Sequence, residues 1–190
     1  MKQLATSSRR AVYTEISPSE FFYRNRDLAG FSNPARALYA TVRELVENSL
    51  DACELAGILP EIYVRITPLE GEDGQPDPKP YFVTVKDNGP GVEYQHVAKA
   101  FGKVFFGSKF KLRQSRGMFG MGGTMAILYG QITTNKCVTV STSIGDGYVH
   151  TFDLMINIQD NTPTILRKVS QHIDGETGTA VRVTVQGDYP

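Results

Sequence analysis

The fold of this chain is decided by the stretch RELVENSLDAC, which occupies residues 43–53. Apolar residues recur through this stretch and ahead of it at helical spacing, which predicts a helix: Leu38, Val42, Leu45, Val46, Leu50 and Cys53. Glu44, Asn48 and Asp51 are separated by four and then three residues, so they project from one face of that helix. A carboxylate one turn from a carboxamide could act as a general base beside a hydrated Mg²⁺ ion. A solvated polar face would show the same spacing, so the stretch alone leaves both interpretations open.

Capping signals bound this helix and predict one other, near the start of the chain. Asn33-Pro34 places an N-cap before a proline at the first helical position, and Gly57 is placed to end the helix. The same signal occurs at Ser17-Pro18, where Glu20 completes a capping box and opens a short helix. Two more helices are predicted further along the chain, over residues 92–101 and about 123–129.

Alternation of apolar and polar residues predicts strands elsewhere. The predicted strands are 61–67, 81–86, 137–144, 148–158, 164–169 and 179–185. In the first of them, Ile62, Val64 and Ile66 are expected to share one face. Tight turns such as Gly145-Asp146-Gly147 join successive strands, which implies antiparallel pairing. We therefore expect an α+β fold, a two-layer α/β sandwich with helices on one face of a mostly antiparallel mixed sheet.

Composition excludes several classes of protein. The chain has 190 residues, with 20 basic and 20 acidic side chains and a formal net charge of zero. A domain that itself binds the phosphate backbone of DNA would be basic. Cys53 and Cys137 give neither a disulfide framework nor a zinc-binding pattern, which favours an intracellular protein. No apolar run approaches the roughly 18 residues of a membrane span, so no membrane partner is expected.

The segment Asp87-Asn88-Gly89-Pro90-Gly91 directly follows a predicted strand. Its glycines and proline would suit a simple turn. Equally, Asp87 at a strand end could accept a hydrogen bond from an exocyclic amine, while Gly91 would let the backbone pass close to a flat ligand. The residues alone do not separate these two interpretations.

A second glycine-containing segment follows a basic one. Five basic residues and no acidic residue lie between Gly102 and Arg116, and the sequence GMFGMGG at 117–123 comes next. Backbone N–H groups ahead of a helix would suit a polyanion, and the basic segment could be a lid over it. A solvated loop is the simpler alternative, although four interleaved phenylalanines require cover. The spacing is neither a Walker A motif nor GxGxxG.

Taken in order, these motifs resemble the gyrase, heat-shock chaperone, histidine kinase and MutL (GHKL) family of ATP-binding domains, which have the Bergerat fold. The resemblance is carried by four boxes: Glu44-x-x-x-Asn48-x-x-Asp51, Asp87-x-Gly89-x-Gly91, Gly117-x-x-Gly120-x-Gly122 and Gly178-Thr179. The flanking stretches 17–22 and 33–45 are similar to the B subunits of type IIB DNA topoisomerases. The resemblance covers nearly the whole chain from Ser17, so it implies one ATP-binding domain over residues 17–190.

The resemblance also implies roles for individual residues. Glu44 would be the general base that activates the attacking water, and Asn48 would hold Mg²⁺ against the phosphates of ATP. Asp87 would bind the adenine amine, helped through water by Thr179, whereas Asp51 would be a structural partner. Gly91, in the same box as Asp87, would also contact the nucleotide, and so would Ser108 and Lys109 of the lid. The triphosphate would be wrapped by the backbone of the glycine box, which comprises Gly117, Met118, Phe119, Gly120, Met121, Gly122, Gly123 and Thr124.

The function implied by the resemblance is that of an ATP-operated clamp. ATP binding would close two copies into a homodimer, with residues 1–16 as a flexible tail or a strap to the partner. Hydrolysis would reset the clamp during DNA strand passage. The implied partner is the DNA-cleaving A subunit of topoisomerase VI, and DNA would be held by the holoenzyme rather than by this domain. The compartment would be the cytoplasm of a prokaryote or the nucleus of a eukaryote.

Two departures from the family pattern keep an alternative open. The helical and transducer domains of the family are absent from this chain, including a transducer lysine that contacts the γ-phosphate, so slow turnover is expected. Thr124 stands where the family commonly has a lysine. The alternative is a diverged topoisomerase VI B-like scaffold for a DNA-breaking partner, with weak or no ATPase activity. A histidine kinase fits less well, because no histidine lies on a predicted dimerising hairpin.

Overall fold

The computed structural model describes residues 17–27, 30–69, 79–104, 122–173 and 175–188. The helices are α1 (Pro18–Asn25), α2 (Pro34–Ala56), α3 (Tyr94–Gly102) and α4 (Gly122–Thr134). The strands are β1 (Ile62–Pro68), β2 (Lys79–Asp87), β3 (Val138–Ile144), β4 (Tyr148–Asn157), β5 (Thr162–His172) and β6 (Thr177–Gly187). The predicted two-layer α+β architecture is confirmed. Among these described elements, no helix has both the length and the apolar character needed to cross a membrane.

The six strands form one sheet in the order β1-β2-β6-β3-β4-β5. Every pairing between the described strands is antiparallel, so the parallel component that a mixed sheet would contain does not occur among them. The last strand, β6, lies in the middle of the sheet because it pairs with both β2 and β3. As a result, Thr179 is placed opposite Thr142 of β3 and close to the end of β2.

The helix ends form as the capping signals predict. The side chain of Ser17 accepts a hydrogen bond from the Glu20 backbone N–H at 3.2 Å. Asn33 does the same for the Arg36 backbone N–H at 2.9 Å, so α2 begins at Pro34. Gly57 ends α2 in the left-handed conformation, with φ of 68°. The long helix therefore begins and ends where its sequence predicts.

The core lies between the sheet and its helices. Valines from the central strands, such as Val83 and Val140, are fully buried against residues of α2 and α4, including Leu38 and Leu128. Burial of one such aliphatic side chain contributes roughly 1.5–3 kcal/mol. The two central helices are therefore held firmly on the sheet, and their polar residues are positioned by this packing.

Two predictions of local structure need correction. Helix α4 continues to Thr134, beyond the predicted end near Tyr129, because a glycine at position 130 lets the helix lie against β6, where a Cβ would overlap the Thr184 carbonyl oxygen. The alternation in β1 predicts that Val64 shares the more buried face of a half-buried strand with Ile62 and Ile66, but Val64 is 38% exposed. Since β1 is an edge strand, the helices cover it only in part.

Candidate nucleotide-binding site

The carboxylate of Asp87, at the end of β2, is fixed by three hydrogen bonds. Its Oδ1 accepts from the backbone N–H groups of Gly89 and Thr179, both at 3.0 Å. Its Oδ2 accepts from the hydroxyl of Ser49 on α2 at 2.7 Å. A carboxylate has about four acceptor positions, so roughly one remains for a ligand. Asp87 is only 6% exposed, and its orientation is therefore set before any ligand arrives.

Two glycines allow backbone segments to meet around Asp87. At Gly178, where φ is +138°, a Cβ would overlap the Asp87 carbonyl oxygen, so β6 can pass this point only without a side chain. At Gly91, where φ is +74°, a Cβ would overlap the carbonyl oxygen of Ser143. In the structure, the backbone at Gly91 therefore passes close to the backbone of β3. Contact of Gly91 with a ligand stays a prediction.

Thr142 connects the three segments that surround this position. Its buried hydroxyl accepts a hydrogen bond from the Val92 backbone N–H at 2.8 Å. The same oxygen lies 3.2 Å from the Gly178 carbonyl oxygen and 3.2 Å from the Thr179 hydroxyl. The sequence did not point to Thr142 or to Ser49. Only the register of β3 against β6 could have identified Thr142, and no spacing signal distinguishes Ser49 from its neighbours.

The other half of the site is the contact between α2 and the first turn of α4. A Cβ at Gly122 would overlap the carboxylate of Glu44, and a Cβ at Gly123 would overlap the side-chain nitrogen of Asn48. The two helices therefore meet through bare backbone at the predicted general base and the predicted metal ligand. The first turn of a helix has N–H groups that lack intrahelical acceptors, and it carries a partial positive charge, which together favour an anion there.

Glu44 is buried, with 8% exposure, and its carboxylate is paired with Arg43. Arg43 Nη2 donates to Glu44 Oε1 at 2.5 Å, and this hydrogen bond is the main reason that the pKa of Arg43 is raised. Glu47, one turn further along α2, lies 3.9 Å from Arg43 Nε. The sequence alone does not distinguish Arg43, because a basic residue beside a glutamate is common on helix surfaces.

The structure brings together the predicted site residues that it describes. Together with Ser49 and Thr142, which the sequence did not indicate, they form two groups that we name after the predicted parts of the nucleotide. The base end comprises Ser49, Asp87, Gly91, Thr142, Gly178 and Thr179. The phosphate end comprises Glu44, Asn48, Gly122, Gly123 and Thr124. Asp51 is buried on α2, in keeping with a structural role. The predicted residues Ser108, Lys109, Gly117, Met118, Phe119, Gly120 and Met121 lie outside the described residues, as does the tail 1–16.

The residues present are compatible with a Mg²⁺ ion that is bound mainly through a nucleotide. In the described part of the chain, no group of three or more His, Cys, Asp or Glu side chains could hold a metal ion. Mg²⁺ needs no such group, since it keeps several waters and takes one or two protein oxygens with substrate phosphates. Asn48 carries one carboxamide oxygen, and its side-chain nitrogen is the atom that lies against the bare backbone of Gly123. The donor set therefore fits.

The chain is similar to a known family of ATPases and to curated relatives. Residues 33–187 match the family described as histidine kinase-, DNA gyrase B-, and HSP90-like ATPases. The chain is 45% identical over 185 residues to the B subunit of type 2 DNA topoisomerase 6 from Saccharolobus shibatae, and it is equally similar to that from Saccharolobus solfataricus. The match includes 96% of this chain and 34% of each relative. The chain thus spans about a third of the length of these curated relatives.

A solved structure with a similar fold is the ATPase region of Saccharomyces cerevisiae topoisomerase II bound to ICRF-187. The two superpose with a TM-score of 0.60 over 90% of this chain and 50% of that one. At 13% sequence identity, this likeness concerns the fold alone.

Proposed function

Because the chain belongs to the histidine kinase-, DNA gyrase B- and HSP90-like ATPase family, we propose that it is the ATP-binding and hydrolysing domain of a type IIB DNA topoisomerase B subunit. The observation that carries the proposal is the hydrogen-bonded Asp87 carboxylate, which has one acceptor position left. The relatives at 44–45% identity, each of them the B subunit of a type 2 DNA topoisomerase 6, support this choice of polypeptide.

At the base end, Asp87 would bind the nucleobase. An exocyclic amine such as that of adenine supplies an N–H donor for the remaining acceptor position of Asp87 Oδ2, whereas a carbonyl oxygen there would be repelled. The three bonds to Ser49, Gly89 and Thr179 keep the carboxylate from turning to suit another base. Selectivity for adenine would thus arise from a preorganised acceptor.

At the phosphate end, Glu44 and Asn48 would serve hydrolysis. Glu44 would accept the proton of the attacking water. Because Gly122 has no side chain, the Glu44 carboxylate can lie at the first turn of α4, where an anion is favoured. Asn48 would hold a Mg²⁺ ion, which when bound neutralises the charge that develops on the phosphate oxygens. Thr124 follows these glycines and would continue the phosphate-binding turn.

In the complete protein, this domain would act as a switch. ATP binding would favour a homodimer, hydrolysis would reset it, and the DNA-cleaving A subunit of topoisomerase VI would be the partner that breaks DNA. DNA contact would come from the holoenzyme, in keeping with the zero net charge of this domain. The compartment would be that of the chromosome, which is the cytoplasm in a prokaryote and the nucleus in a eukaryote.

Two substitutions at the phosphate end test the assigned roles. Asn48→Ala is expected to abolish detectable binding of Mg²⁺-ATP in calorimetry. Glu44→Ala is expected to keep binding and to lose at least about 100-fold in turnover, which is the lower range for a general base. Unchanged hydrolysis by Glu44→Ala would contradict its role. The exposed Asp146→Ala, in the turn between β3 and β4, is a matched control for loss of a carboxylate.

A thermal-shift experiment separates the ATPase from the scaffold alternative. A ligand at 100 times its dissociation constant should stabilise the folded chain by roughly 2.7 kcal/mol. We expect this shift with Mg²⁺-ATP or Mg²⁺-ADP and a much smaller one with Mg²⁺-GTP. The absence of any shift with adenine nucleotides would instead favour a scaffold without nucleotide binding.

A further inference from the structure

The two carboxylate oxygens of Glu44, the proposed general base, have different neighbours. Arg43 Nη2 donates a hydrogen bond to Glu44 Oε1, whereas Glu44 Oε2 lies over Gly122, at the position that a Cβ would occupy. Oε1 is therefore engaged with a cation from its own helix. Oε2 is the oxygen that faces the first turn of α4, where the phosphates would bind.

From this arrangement we infer that Arg43 is a positioning residue for ATP hydrolysis, which anchors Glu44 Oε1 so that Oε2 receives the proton of the attacking water. The inference rests on the proposed function, because it assigns a role to the neighbour of the proposed base. Arg43 does not need to touch the nucleotide for this role. Its contribution is the orientation of one carboxylate.

The ion pair is better suited to orientation than to stability. The Arg43 side chain is 45% exposed, and ion pairs at such exposure contribute little to folding. The Glu44 side chain, in contrast, is only 10% exposed. A buried carboxylate on a flexible two-carbon stem can occupy several rotamers, and displacement by about 1 Å can cost roughly 100-fold in rate. One strong hydrogen bond that selects a rotamer can thus matter more for turnover than for the fold.

The groups around Arg43 hold its guanidinium at this place. Glu44 is the close partner, Glu47 lies 3.9 Å from Nε, and Tyr39 is a further electrostatic neighbour. Glu47 and Tyr39 are each one turn of α2 away, on either side of Arg43. Loss of Glu47 would remove the weaker of the two carboxylate contacts, so the hydrogen bond to Glu44 should persist in a Glu47→Gln variant.

Steady-state kinetics of three variants test the inference. Arg43→Ala is expected to lower kcat about 10-fold, with KM for ATP and the calorimetric affinity for ADP changed less than about twofold. Arg43→Lys should recover part of kcat, because an ammonium can still donate to Oε1. The control is Arg36→Ala, which removes an exposed arginine from the same helix two turns earlier and should leave kcat unchanged.

Three outcomes would count against Arg43. A wild-type kcat in Arg43→Ala would overturn the inference. A parallel loss of ADP affinity and thermal stability would also overturn it, since that result indicates a structural role. Full recovery in Arg43→Lys, together with a kcat loss in Arg36→Ala as large as that in Arg43→Ala, would show a general effect of positive charge and would also overturn the inference.

A second measurement tests the Arg43–Glu44 pairing, on which the inference depends, without the need for turnover. The ¹⁵N guanidinium resonances of Arg43, assigned by their loss in Arg43→Lys, should move in Glu44→Gln and stay close to their positions in Glu47→Gln. Equal shifts in both variants, or none, would overturn the pairing. If wild-type chain binds no Mg²⁺-ATP while the resonances behave as expected, the proposed function fails and the Arg43–Glu44 pair stands.

Discussion

The base end and the phosphate end of the site are built in different ways. At the base end, Asp87 is held by partners that are distant in sequence, with separations of 38 residues to Ser49 and 92 to Thr179. At the phosphate end, Glu44 and Asn48 come from one helix face, and they meet α4 where Gly122 and Gly123 lack side chains. One end depends on hydrogen bonds across the sheet, and the other on helix rotation and the absence of two Cβ atoms.

This difference predicts how each end responds to substitution. Loss of a central acceptor at the base end leaves several buried donors unpaired, so folding and binding should suffer together. An added methyl group at the phosphate end disturbs one carboxylate or carboxamide, so chemistry should suffer while the fold persists. The predictions below test this separation, beginning with the largest expected effect.

Asp87→Ala should have the largest effect because it affects both properties. The substitution leaves the Ser49 hydroxyl and the N–H groups of Gly89 and Thr179 without their acceptor, at a cost of about 1–3 kcal/mol for each unsatisfied group. We expect no measurable ADP binding in calorimetry and a clearly lower midpoint in urea unfolding. An Asp87→Ala variant with wild-type stability would show that the base end is not held as described.

Gly122→Ala should separate chemistry from folding. Its methyl group would occupy the place of Glu44 Oε2, so we expect the carboxylate to move and kcat to fall roughly 100-fold, while the unfolding midpoint changes little. The control is Gly175→Ala, where a Cβ meets no atom within 4 Å but φ is +78°. That control should lose some stability and keep its kcat, which is the reverse pattern.

The shared helix face of Glu44 and Asn48 could be predicted from sequence because its information is local. The spacing of Glu44 and Asn48 along α2 fixes a shared face, and the caps at Asn33 and Gly57 fix the length of the helix. The base end could be predicted only in part. Asp87 follows a strand and could be singled out, but its partners depend on a sheet order in which β6 returns between β2 and β3. No single segment contains that order.

The exposure of Val64 and the pairing of Arg43 were missed for related reasons. Alternation in β1 predicts which face Val64 is on, and it does not predict that the helices leave this edge strand partly uncovered. Likewise, the spacing in α2 predicts the face of Glu44, but it does not predict which rotamer of the neighbouring Arg43 reaches it. Both properties are decided by tertiary packing.

Ser49→Ala should give a smaller effect at the base end. The substitution removes one of three donors to Asp87 and leaves the two backbone bonds intact. We expect a loss of about 1 kcal/mol in the free energy of unfolding and a decrease of roughly fivefold in ADP affinity, since 1 kcal/mol corresponds to that factor. Ser143→Ala removes a β3 hydroxyl that accepts a hydrogen bond from the Gly145 backbone N–H at 3.3 Å, so it is the matched control and should keep ADP affinity.

Thr41→Val should have the smallest effect and the opposite sign. Thr41 is fully buried on α2, one turn before Glu44, and its hydroxyl has no hydrogen-bond partner among the described residues. The buried hydroxyls of Ser49 and Thr142 at the base end, in contrast, are both bonded. Valine has nearly the same shape and the same branched Cβ, so it removes an unpaired polar group at little steric cost.

We therefore expect Thr41→Val to raise the free energy of unfolding by about 1 kcal/mol, as measured in urea, with kcat and ADP affinity unchanged. A loss of stability would mean that the Thr41 hydroxyl is satisfied in solution, so that the α2 face beside Glu44 is hydrogen-bonded like the base end. The contrast between the two ends would then be reduced to the glycine contacts alone. A gain in stability would instead show that the buried face of α2 around Thr41 is a packed apolar surface. Arg43 and the two glycines would then be the groups that orient Glu44 and Asn48.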